Sequence, residues 1–402
     1  MDDSQVETTD PTRLVRVAES MTRFKCNEKG CCCQGWQISF DADDVYELAQ
    51  VLPRHARETL LTGAQLSVEP GTDLCTHIQL ETVGKEAKCR FLEQRGSCRI
   101  HTTMGPEVLP NLCRVYPGFA YRVEADDPCH SELHFDPVCP EVLERIDESD
   151  GPYTIQEIPA RDCDHVDQRS RRTTVVPKVR LGELDLTLGA LQPVRGAIID
   201  VLNDRSTPAF TTLAWINYAM AKLLAGESPA GFRIEQRDDI SQFDRYFDAC
   251  VASHQAEVLG RFLRRYRRFV FAGDLPDGSW EGVDEHLAYD ASWRHRLDPM
   301  QSPLDGLIAR YLAHRFFDVF DPSRGDSRLA FRYRSIAHGL AAAFRLTVGI
   351  AAWLNRPPDR DTLKVSIGAS EYFFRSVPDL RDAMPWFVPS ATEVELATTA
   401  KN

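Results

Sequence analysis

The sequence has no pair of cysteines in the C-x2-C spacing, although it carries 12 cysteines among 402 residues. Zinc sites usually contain two such pairs, so the common zinc-knuckle pattern is excluded. The cysteine run of bacterial ferredoxins and the C-x3-C-x2-C triplet of radical enzymes are missing too. What is left is a scattered set of thiols. The metal or cluster that they bind has to be inferred from the residues around them.

The first 13 residues are polar and acidic and lack the apolar stretch of a signal peptide. We therefore expect a cytoplasmic protein, in which a reducing environment keeps thiols reduced. That location argues against a disulfide framework, although the even number of cysteines would permit one. In a cytosolic protein, a thiol-rich site more often binds a metal or takes part in catalysis.

Positive charge is in deficit, since 47 Lys and Arg residues face 60 Asp and Glu residues, for a formal net charge of −13. This excess of negative charge predicts a soluble protein without a general affinity for nucleic acid. The apolar run from Ile336 to Leu354 is interrupted by His338 and Arg345. We therefore expect a buried helix of a bundle there, and no association with a membrane.

Eight cysteines stand in two groups along the first third of the chain. Four of them fall within eight residues, and adjacent residues cannot all point into one core as small hydrophobes. We therefore predict a bound metal, either zinc or an iron–sulfur cluster, because both take thiolates from loops. The predicted metal ligands are Cys26, Cys31, Cys32, Cys33, Cys89, Cys98, Cys113 and Cys139.

Three segments around these cysteines resemble a known family. They read FKCNEKGCCCQGWQISFD, CRFLEQRGSCRIHTTMGPEVLPNLCRVYPGF and VCPEVLERI, and together they cover roughly residues 20–147. In this order they resemble successive blocks of the flagellin lysine-N-methylase family. That family lies within a broader group of cysteine-cluster proteins described as zinc- or iron-chelating. The joint occurrence of the blocks is a more specific signal than any block alone.

The resemblance implies transfer of a methyl group from S-adenosylmethionine to the ε-amine of a lysine. The acceptor would be flagellin or another lysine-bearing protein. The resemblance also implies an iron–sulfur cluster, of the 4Fe-4S type, bound by the N-terminal cysteines. It assigns no catalytic residue and no residue that binds the methyl donor, and it does not fix the oligomeric state.

The chain departs from the family in two places. The third block commonly ends in Tyr-Pro-Arg, whereas this chain has Tyr116-Pro117-Gly118, so the arginine is missing. The opening block is compressed, with Cys31 directly beside Cys32, so one cysteine of the triplet can be a bystander.

The sequence also lacks the Gly-rich strand-to-helix turn of doubly wound methyltransferases. A methyl-donor site would therefore be of another kind, for example an open iron that binds the amino and carboxylate groups of S-adenosylmethionine.

The expected fold is mainly α, with two domains after a polar tail over residues 1–19. A loop-rich cysteine-cluster domain with short helices and a hairpin would span 20–165, and an all-α helical domain would span 180–402. Within the first domain we predict helices over 41–64, a long connection over 63–88, a hairpin-like turn at Gly96 and a helix beginning at Pro140. Residues 146–180 are expected to connect the domains.

Three functions fit these observations. The first is a protein-lysine N-methyltransferase that uses S-adenosylmethionine and an iron–sulfur cluster. The second is a zinc- or iron-chelating protein or redox module without enzymatic activity, with a helical interaction domain. The third is a structural zinc protein whose helices form an interaction scaffold. The agreement of the blocks in order favours the first.

Overall fold

A computed structural model describes most of the chain. It describes residues 14–25, 39–40, 42–62, 64–68, 75–80, 89, 91–93, 97–123, 130–149, 151–162, 179–181, 184–270, 283–288, 293, 297, 301–319 and 329–376. The fold is mainly helical, which confirms the predicted class, but it also contains sheets whose strand pairing the sequence did not predict.

A four-stranded sheet forms the centre of the N-terminal part. Its strands are β1 (Leu14–Ala18), β5 (Gly118–Val123), β6 (His130–Phe135) and β7 (Ile155–Pro159), in the spatial order β5-β6-β1-β7. β1 pairs parallel with β6 and antiparallel with β7. Two predictions were therefore wrong. Residues 14–18 belong to a sheet and not to a polar tail, and residues 155–159 are a strand within the supposed connection between domains.

A second, three-stranded sheet lies near two short helices. It consists of β2 (Ser39–Phe40), β3 (Ala64–Val68) and β4 (Cys75–Leu80), in the order β2-β4-β3. The helices α1 (Ala42–Val51) and α2 (Arg54–Thr62) confirm the predicted helical segment, with Pro53 between them. The long connection predicted over 63–88 was wrong in part, because β3 and β4 pair antiparallel with a register shift at Ser67 and Val68.

Two short helices precede β5 in the chain, α3 (Arg99–Met104) and α4 (Asn111–Val115). Thr102 and Thr103 lie inside α3, and their hydroxyls donate to the Arg99 carbonyl, at 3.2 and 2.6 Å. The helix α5 (Pro140–Glu148) begins as predicted, with Pro140 in its first turn after Cys139.

The remaining described elements are a small hairpin and a set of helices. The hairpin consists of β8 (Val179–Leu181) and β9 (Leu184–Leu186). The helices are α6 (Leu188–Asn203), α7 (Ala209–Leu224), α8 (Ser241–Ser253), α9 (Ala256–Val270), α10 (Val283–His286), α11 (Gln301–Val319), α12 (Leu329–Trp353) and α13 (Arg360–Ser376). They lie in the domain predicted to be all-α over 180–402, whereas the hairpin at its start was not predicted.

One apolar core joins the first sheet to the helices. Val15 and Val17 of β1 and Leu133 and Phe135 of β6 belong to the same buried cluster as residues of α6, α7, α8, α11 and α12. Burial of this size is the main source of stability for the chain. The residues that we had assigned to two domains therefore share one core.

The helix α12 contains the segment Ser335–Trp353, which is long and apolar enough to cross a membrane by length and composition. In the structure 89% of that window is buried against the protein. The guanidinium of Arg345 is buried too, and it donates to the Leu287 carbonyl at 2.8 Å and to the Val251 carbonyl at 3.0 Å. This is how a helix of a protein core satisfies a buried cation.

A group of ion pairs fastens α5 to α11 and α13. Asp147 of α5 lies 2.5 Å from Arg360 Nη2 and 3.4 Å from Lys364 Nζ, while Lys364 Nζ also lies 2.8 Å from Glu144 Oε2. Arg310 of α11 donates to the carbonyls of Ile146 and Asp147, at 2.7 and 3.1 Å. Because α5 follows β6 directly, these contacts hold the first sheet against the helices.

Gly368 of α13 is a position where no side chain fits. A Cβ atom added there would overlap the hydroxyl of Tyr266, which donates to the Val138 carbonyl at 3.1 Å. We expect Gly368→Ala to lower the free energy of unfolding by about 1–3 kcal/mol, as overpacking does. Urea denaturation measures this change.

Gly196→Ala is the matched control, since nothing lies within 4 Å of a Cβ added at that helical position. Alanine should leave stability unchanged there or raise it by up to about 1 kcal/mol. Equal effects of the two substitutions would contradict the close approach of Tyr266 to α13.

Candidate functional site

Three of the predicted metal ligands meet at one small apolar cluster. This cluster contains Cys89 together with Leu48 and Leu52 of α1, Ala56 of α2, Phe91 and Ile100. Cys98 and Cys113 pack against it as partly buried residues. A bridge between Leu92 and Cys98 and a hydrogen bond of 2.8 Å from Arg99 N to the Phe91 carbonyl join the two sides of the predicted hairpin-like turn, whose centre at Gly96 lies outside the described residues. The turn therefore brings Cys89 and Cys98 back to the same place.

The fourth described ligand, Cys139, lies at one end of the first sheet. It precedes α5 and is buried in the main core, not in the small cluster. Gly118 at the start of β5 pairs with Phe135 at the end of β6, and Asp136 N donates to the Pro117 carbonyl at 2.9 Å. Cys113 stands shortly before Gly118, and Cys139 stands shortly after Phe135. Both cysteines therefore lie in segments that flank the same end of this strand pair.

The chain approaches Cys26 at this same end. The ring of Phe24 is buried in the main core and lies 5.0 Å from the ring of Phe135, measured between centroids. The chain is next described at β2, which contacts α4, the helix that carries Cys113. Cys26, Cys31, Cys32 and Cys33 lie outside the described residues, between these two flanking segments. Both flanks are thus next to elements that carry predicted ligands.

Within the part of the chain that the structure describes, no three His, Cys, Asp or Glu side chains are close enough to hold a metal ion. Cys89, Cys98 and Cys113 suit a thiolate-bound metal in their chemistry, and the apolar residues beneath them would limit access of water. A complete ligand set would also need cysteines of the 26–33 segment. The assignment of all eight cysteines as ligands stays a prediction.

A chain of buried charges that the sequence did not predict begins on β6. Glu132 is buried and binds the guanidinium of Arg195 on α6 through two contacts, at 2.5 and 2.7 Å. Burial alone would raise the pKa of Glu132, but the charge of Arg195 and its hydrogen bonds outweigh burial and hold the pKa well below its usual range. Gln192 completes the pair by bonding both partners, at 3.2 and 2.7 Å.

The chain continues from β6 to α11 and α13. His134 lies 3.3 Å from Glu132 Oε2 and 3.4 Å from Asp318 Oδ1. Arg315 then joins Asp318 to Glu371, with a distance of 2.8 Å to each carboxylate. Glu371 accepts a hydrogen bond from the hydroxyl of Tyr311, whose pKa is raised by burial and by the charge of Glu371. Four elements of the fold are thereby connected by buried polar side chains.

The ring of Phe317 lies beneath two of these groups. The guanidinium carbon of Arg195 is 4.8 Å from its centroid, and the ring of His134 is stacked on it at 4.5 Å. Such contacts are favourable for a cation that has lost its water. Phe317 therefore fixes the orientation of both groups against α11.

A second branch links Tyr153 to His314. Nε2 of His314 lies 2.6 Å from the Phe135 carbonyl, which can only accept, so Nε2 carries the proton. Nδ1 therefore accepts from the hydroxyl of Tyr153, 3.3 Å away. Burial lowers the pKa of His314 to about 4, so the ring is neutral at pH 7. Burial also raises the pKa of Tyr153 well above its usual value, with a further increase from Asp318.

Tyr153 also lines a cavity of about 400 Å³. The cavity lies between the end of α5, the start of β7 and α11, and it is lined by charged and hydroxyl groups beside Tyr153. These groups belong to Glu19, Ser20, Arg145, Glu148, Ser149, Thr154 and Arg310. A volume of this order is typical of sites for small ligands, about 300–1,000 Å³.

The sequence pattern of β6 does not show that its charges are buried. In the segment Ser131-Glu132-Leu133-His134-Phe135-Asp136, polar and apolar residues alternate from Glu132 onwards, which is the pattern of a strand with one solvated face. In the structure all six residues are buried, so the polar face meets helices and not water. Charged residues in a strand that is covered on both faces require partners. Here α6 and α11 supply these partners.

Comparison with known proteins finds two relatives in Salmonella. The chain is 25% identical over 129 residues to a protein named Lysine-N-methylase of Salmonella typhimurium, a match that covers 31% of this chain and 30% of that protein. It is 24% identical over 129 residues to the flagellar biosynthetic protein FliU of Salmonella muenchen, with 31% of this chain and 72% of that protein covered. No family model and no solved structure matches. The comparisons support a distant relationship to a lysine-N-methylase.

The Glu132–Arg195 pair gives a test of the buried charges. We expect Arg195→Met or Glu132→Gln alone to lower the free energy of unfolding by about 3–5 kcal/mol, because each leaves a group buried without its partner. The double variant should lose clearly less than the sum of the two, since it removes both charges. Urea denaturation of all three variants measures the coupling.

Arg261→Gln is the control for that series, because Arg261 pairs with Glu257 on an exposed face of α9 at 3.5 Å. This change should alter stability by less than about 0.5 kcal/mol. Additive effects of the two buried substitutions would contradict the direct contact between Glu132 and Arg195.

The buried histidines predict loss of stability in acid. The pKa of His314 falls from 6.5 to about 4 on folding, mainly through burial, so the unfolded chain binds more protons between these values. The contribution of His314 is therefore complete above pH 6.5 and decreases as the pH falls towards 4. His254 adds to the effect, because burial and the neighbouring His338 lower its pKa to about 3.

His314→Gln tests this dependence, since a glutamine amide can still donate to the Phe135 carbonyl. We expect the free energy of unfolding of this variant to decrease less between pH 7 and pH 5 than that of the wild-type protein. Equal decreases in the two proteins would show that His314 is not neutral in the folded state.

Proposed function

We propose that the protein is an S-adenosylmethionine-dependent protein-lysine N-methyltransferase whose N-terminal cysteines bind an iron–sulfur cluster. The observation that carries this proposal is the similarity over 129 residues to the Salmonella protein named Lysine-N-methylase. The match spans about 30% of the length of that relative, so its activity is extended to this chain as a proposal. The meeting of Cys89, Cys98 and Cys113 at one apolar cluster supports the cluster part.

The proposed cluster would be held by Cys89, Cys98 and Cys113 with cysteines of the 26–33 segment, and Cys139 would lie at its edge or complete it. A bound cluster would supply electron transfer or a Lewis-acidic iron. The residues of the chain contribute the surroundings. Phe91, Ile100 and Leu48 would exclude water from the thiolates, and Arg114, next to Cys113, would offset their negative charge.

The proposed acceptor is a lysine of a protein such as flagellin. A net charge of −13 attracts a partner that carries its target lysine in a basic surface. The lysine must lose a proton before it can attack a methyl group, and transfer from water into a less polar site favours that loss.

The second candidate is a zinc- or iron-chelating protein without enzymatic activity, with a helical interaction domain. The packing of Cys89, Cys98 and Cys113 on apolar residues favours it equally, because a structural metal site needs the same surroundings. Zinc in place of the iron–sulfur cluster would fit this candidate. The metal content and the turnover of the protein separate the two.

The first experiment is purification without oxygen, followed by assays of iron, sulfide and zinc and by an absorption spectrum. We expect iron and sulfide in equal amounts and a broad shoulder near ~400 nm. Cys89→Ser, Cys98→Ser and Cys113→Ser should each reduce the iron content severalfold. Incubation with S-adenosylmethionine and flagellin should add the mass of a methyl group to lysine residues, as measured by mass spectrometry.

Cys163→Ser is the matched control, because Cys163 belongs to none of the three segments that resemble the methylase family. It should retain wild-type iron. A colourless protein that contains zinc and no iron would contradict the iron–sulfur part of the proposal. Absence of methylation with a full complement of iron would contradict the methyltransferase part and favour the chelating protein.

A further inference from the structure

Several residues that line the cavity beside Tyr153 are held in place by hydrogen bonds. The backbone of Tyr153 is held by Asn203 of α6, which accepts from its N–H at 2.7 Å and donates to its carbonyl at 3.0 Å. Arg310 is held by the two carbonyls at the end of α5. Glu19 N donates to the Thr154 carbonyl at 2.9 Å, and the hydroxyl of Thr154 donates to the Glu19 carboxylate. A site with such walls is already formed before a ligand binds, which favours binding.

The charges around the cavity are balanced and of both signs. Glu19 and Glu148 supply two carboxylates, and Arg145 and Arg310 supply two guanidinium groups. A bound moiety with one net charge would leave one of these groups without compensation. A zwitterion carries an ammonium for the carboxylates and a carboxylate for a guanidinium, and its net charge is zero. The lining therefore matches the two charged ends of an α-amino acid.

Arg145 is the guanidinium best placed to accept a ligand carboxylate. Its Nε lies 3.3 Å from Glu141 and its Nη1 lies 3.7 Å from Glu148, and both distances exceed the usual 2.7–2.9 Å of a charge-assisted hydrogen bond. A carboxylate in the cavity can replace these long contacts at little cost. The displaced Glu148 carboxylate would then be available for an ammonium group.

The carboxyl end of α5 adds a preference for positive charge in the cavity near Glu148. Glu148 is the last residue of this helix, and the negative end of a helix dipole favours a nearby cation. The hydroxyls of Ser20, Ser149 and Thr154 line the same cavity and can accept hydrogen bonds from an ammonium group.

We propose that this cavity binds the amino-acid moiety of a small ligand and that, in the proposed methyltransferase, the ligand is S-adenosylmethionine. The identity of the ligand rests on the proposed function, whereas the zwitterionic chemistry of the site rests on its lining. Arg145 binds the carboxylate of the ligand, and Glu19 with Glu148 binds its ammonium group.

This site is separate from Cys139, the fourth predicted ligand that the structure describes. Cys139 precedes the first turn of α5, and Arg145 and Glu148 lie in the last turns. At a rise of about 1.5 Å per residue, the two ends are on the order of 10 Å apart. A substitution in the cavity therefore leaves the cysteines in place, and metal content reports independently on the fold of the variant.

The test is calorimetric titration of protein purified without oxygen with S-adenosylmethionine, and separately with methionine, which carries the amino-acid moiety alone. We expect both to bind and to compete. Arg145→Gln and Glu19→Gln should each weaken both affinities about tenfold, through loss of a hydrogen bond to a charged group. Iron content should be unchanged in both variants.

Arg261→Gln and Glu257→Gln are the matched controls, because these residues form a similar pair, spaced four apart on an exposed helix face. Their affinities should equal those of the wild-type protein. Binding of methionine without S-adenosylmethionine, weakened by the cavity variants, would support the amino-acid site and contradict the methyltransferase. Normal affinity for S-adenosylmethionine in both cavity variants would overturn the site and leave the methyltransferase intact. Failure of both ligands to bind would overturn the site.

Discussion

The ion pair between Glu132 and Arg195 is the contact on which the arrangement of the fold depends. A charge placed on a strand that is buried on both faces costs several kcal/mol unless a partner arrives with it. The partner comes from α6, and Phe317 of α11 covers the guanidinium. Through His134 and Asp318 the same requirement extends to α11, and through Arg315 to α13. Apolar packing alone would allow these helices to shift, whereas paired charges allow one arrangement.

Two of the predicted metal ligands, Cys113 and Cys139, depend on this arrangement because they lie near the end of the β5–β6 strand pair. Cys139 is the fourth residue after β6, and Cys113 precedes β5, the strand that pairs with β6. Val138, next to Cys139, is held from the other side by the hydroxyl of Tyr266. The helices therefore position Cys139 through both the strand and its neighbour. The short segment around Cys139, which forms no core of its own, obtains a rigid support in this way.

The helices could be predicted from the sequence, and the pairing of the strands could not. An amphipathic helix repeats its apolar face within one segment, so the segments of α6 to α13 carry their own signal. Leu14–Ala18 has only five residues, and its neighbour β6 lies more than one hundred residues further along the chain. The cysteines were recognisable by their crowding. Glu132 and His134 were not, because alternation with apolar residues usually marks a solvated face, and only the partners on α6 and α11 show that this face is buried.

The helix α5 connects the two sites proposed for this protein. Its first turn follows Cys139 in the main core, and its last turn carries Arg145 and Glu148 at the cavity. Asp147 is held by Arg360 and Lys364, so the helix is fixed at the cavity end as well. A helix held at both ends keeps the two sites at a constant separation, because shortening or bending it would break these contacts. Loss of metal at the cysteines would then reach the cavity only by displacing α5, and a cavity that keeps its affinity without metal would show that α5 is positioned by the helices alone.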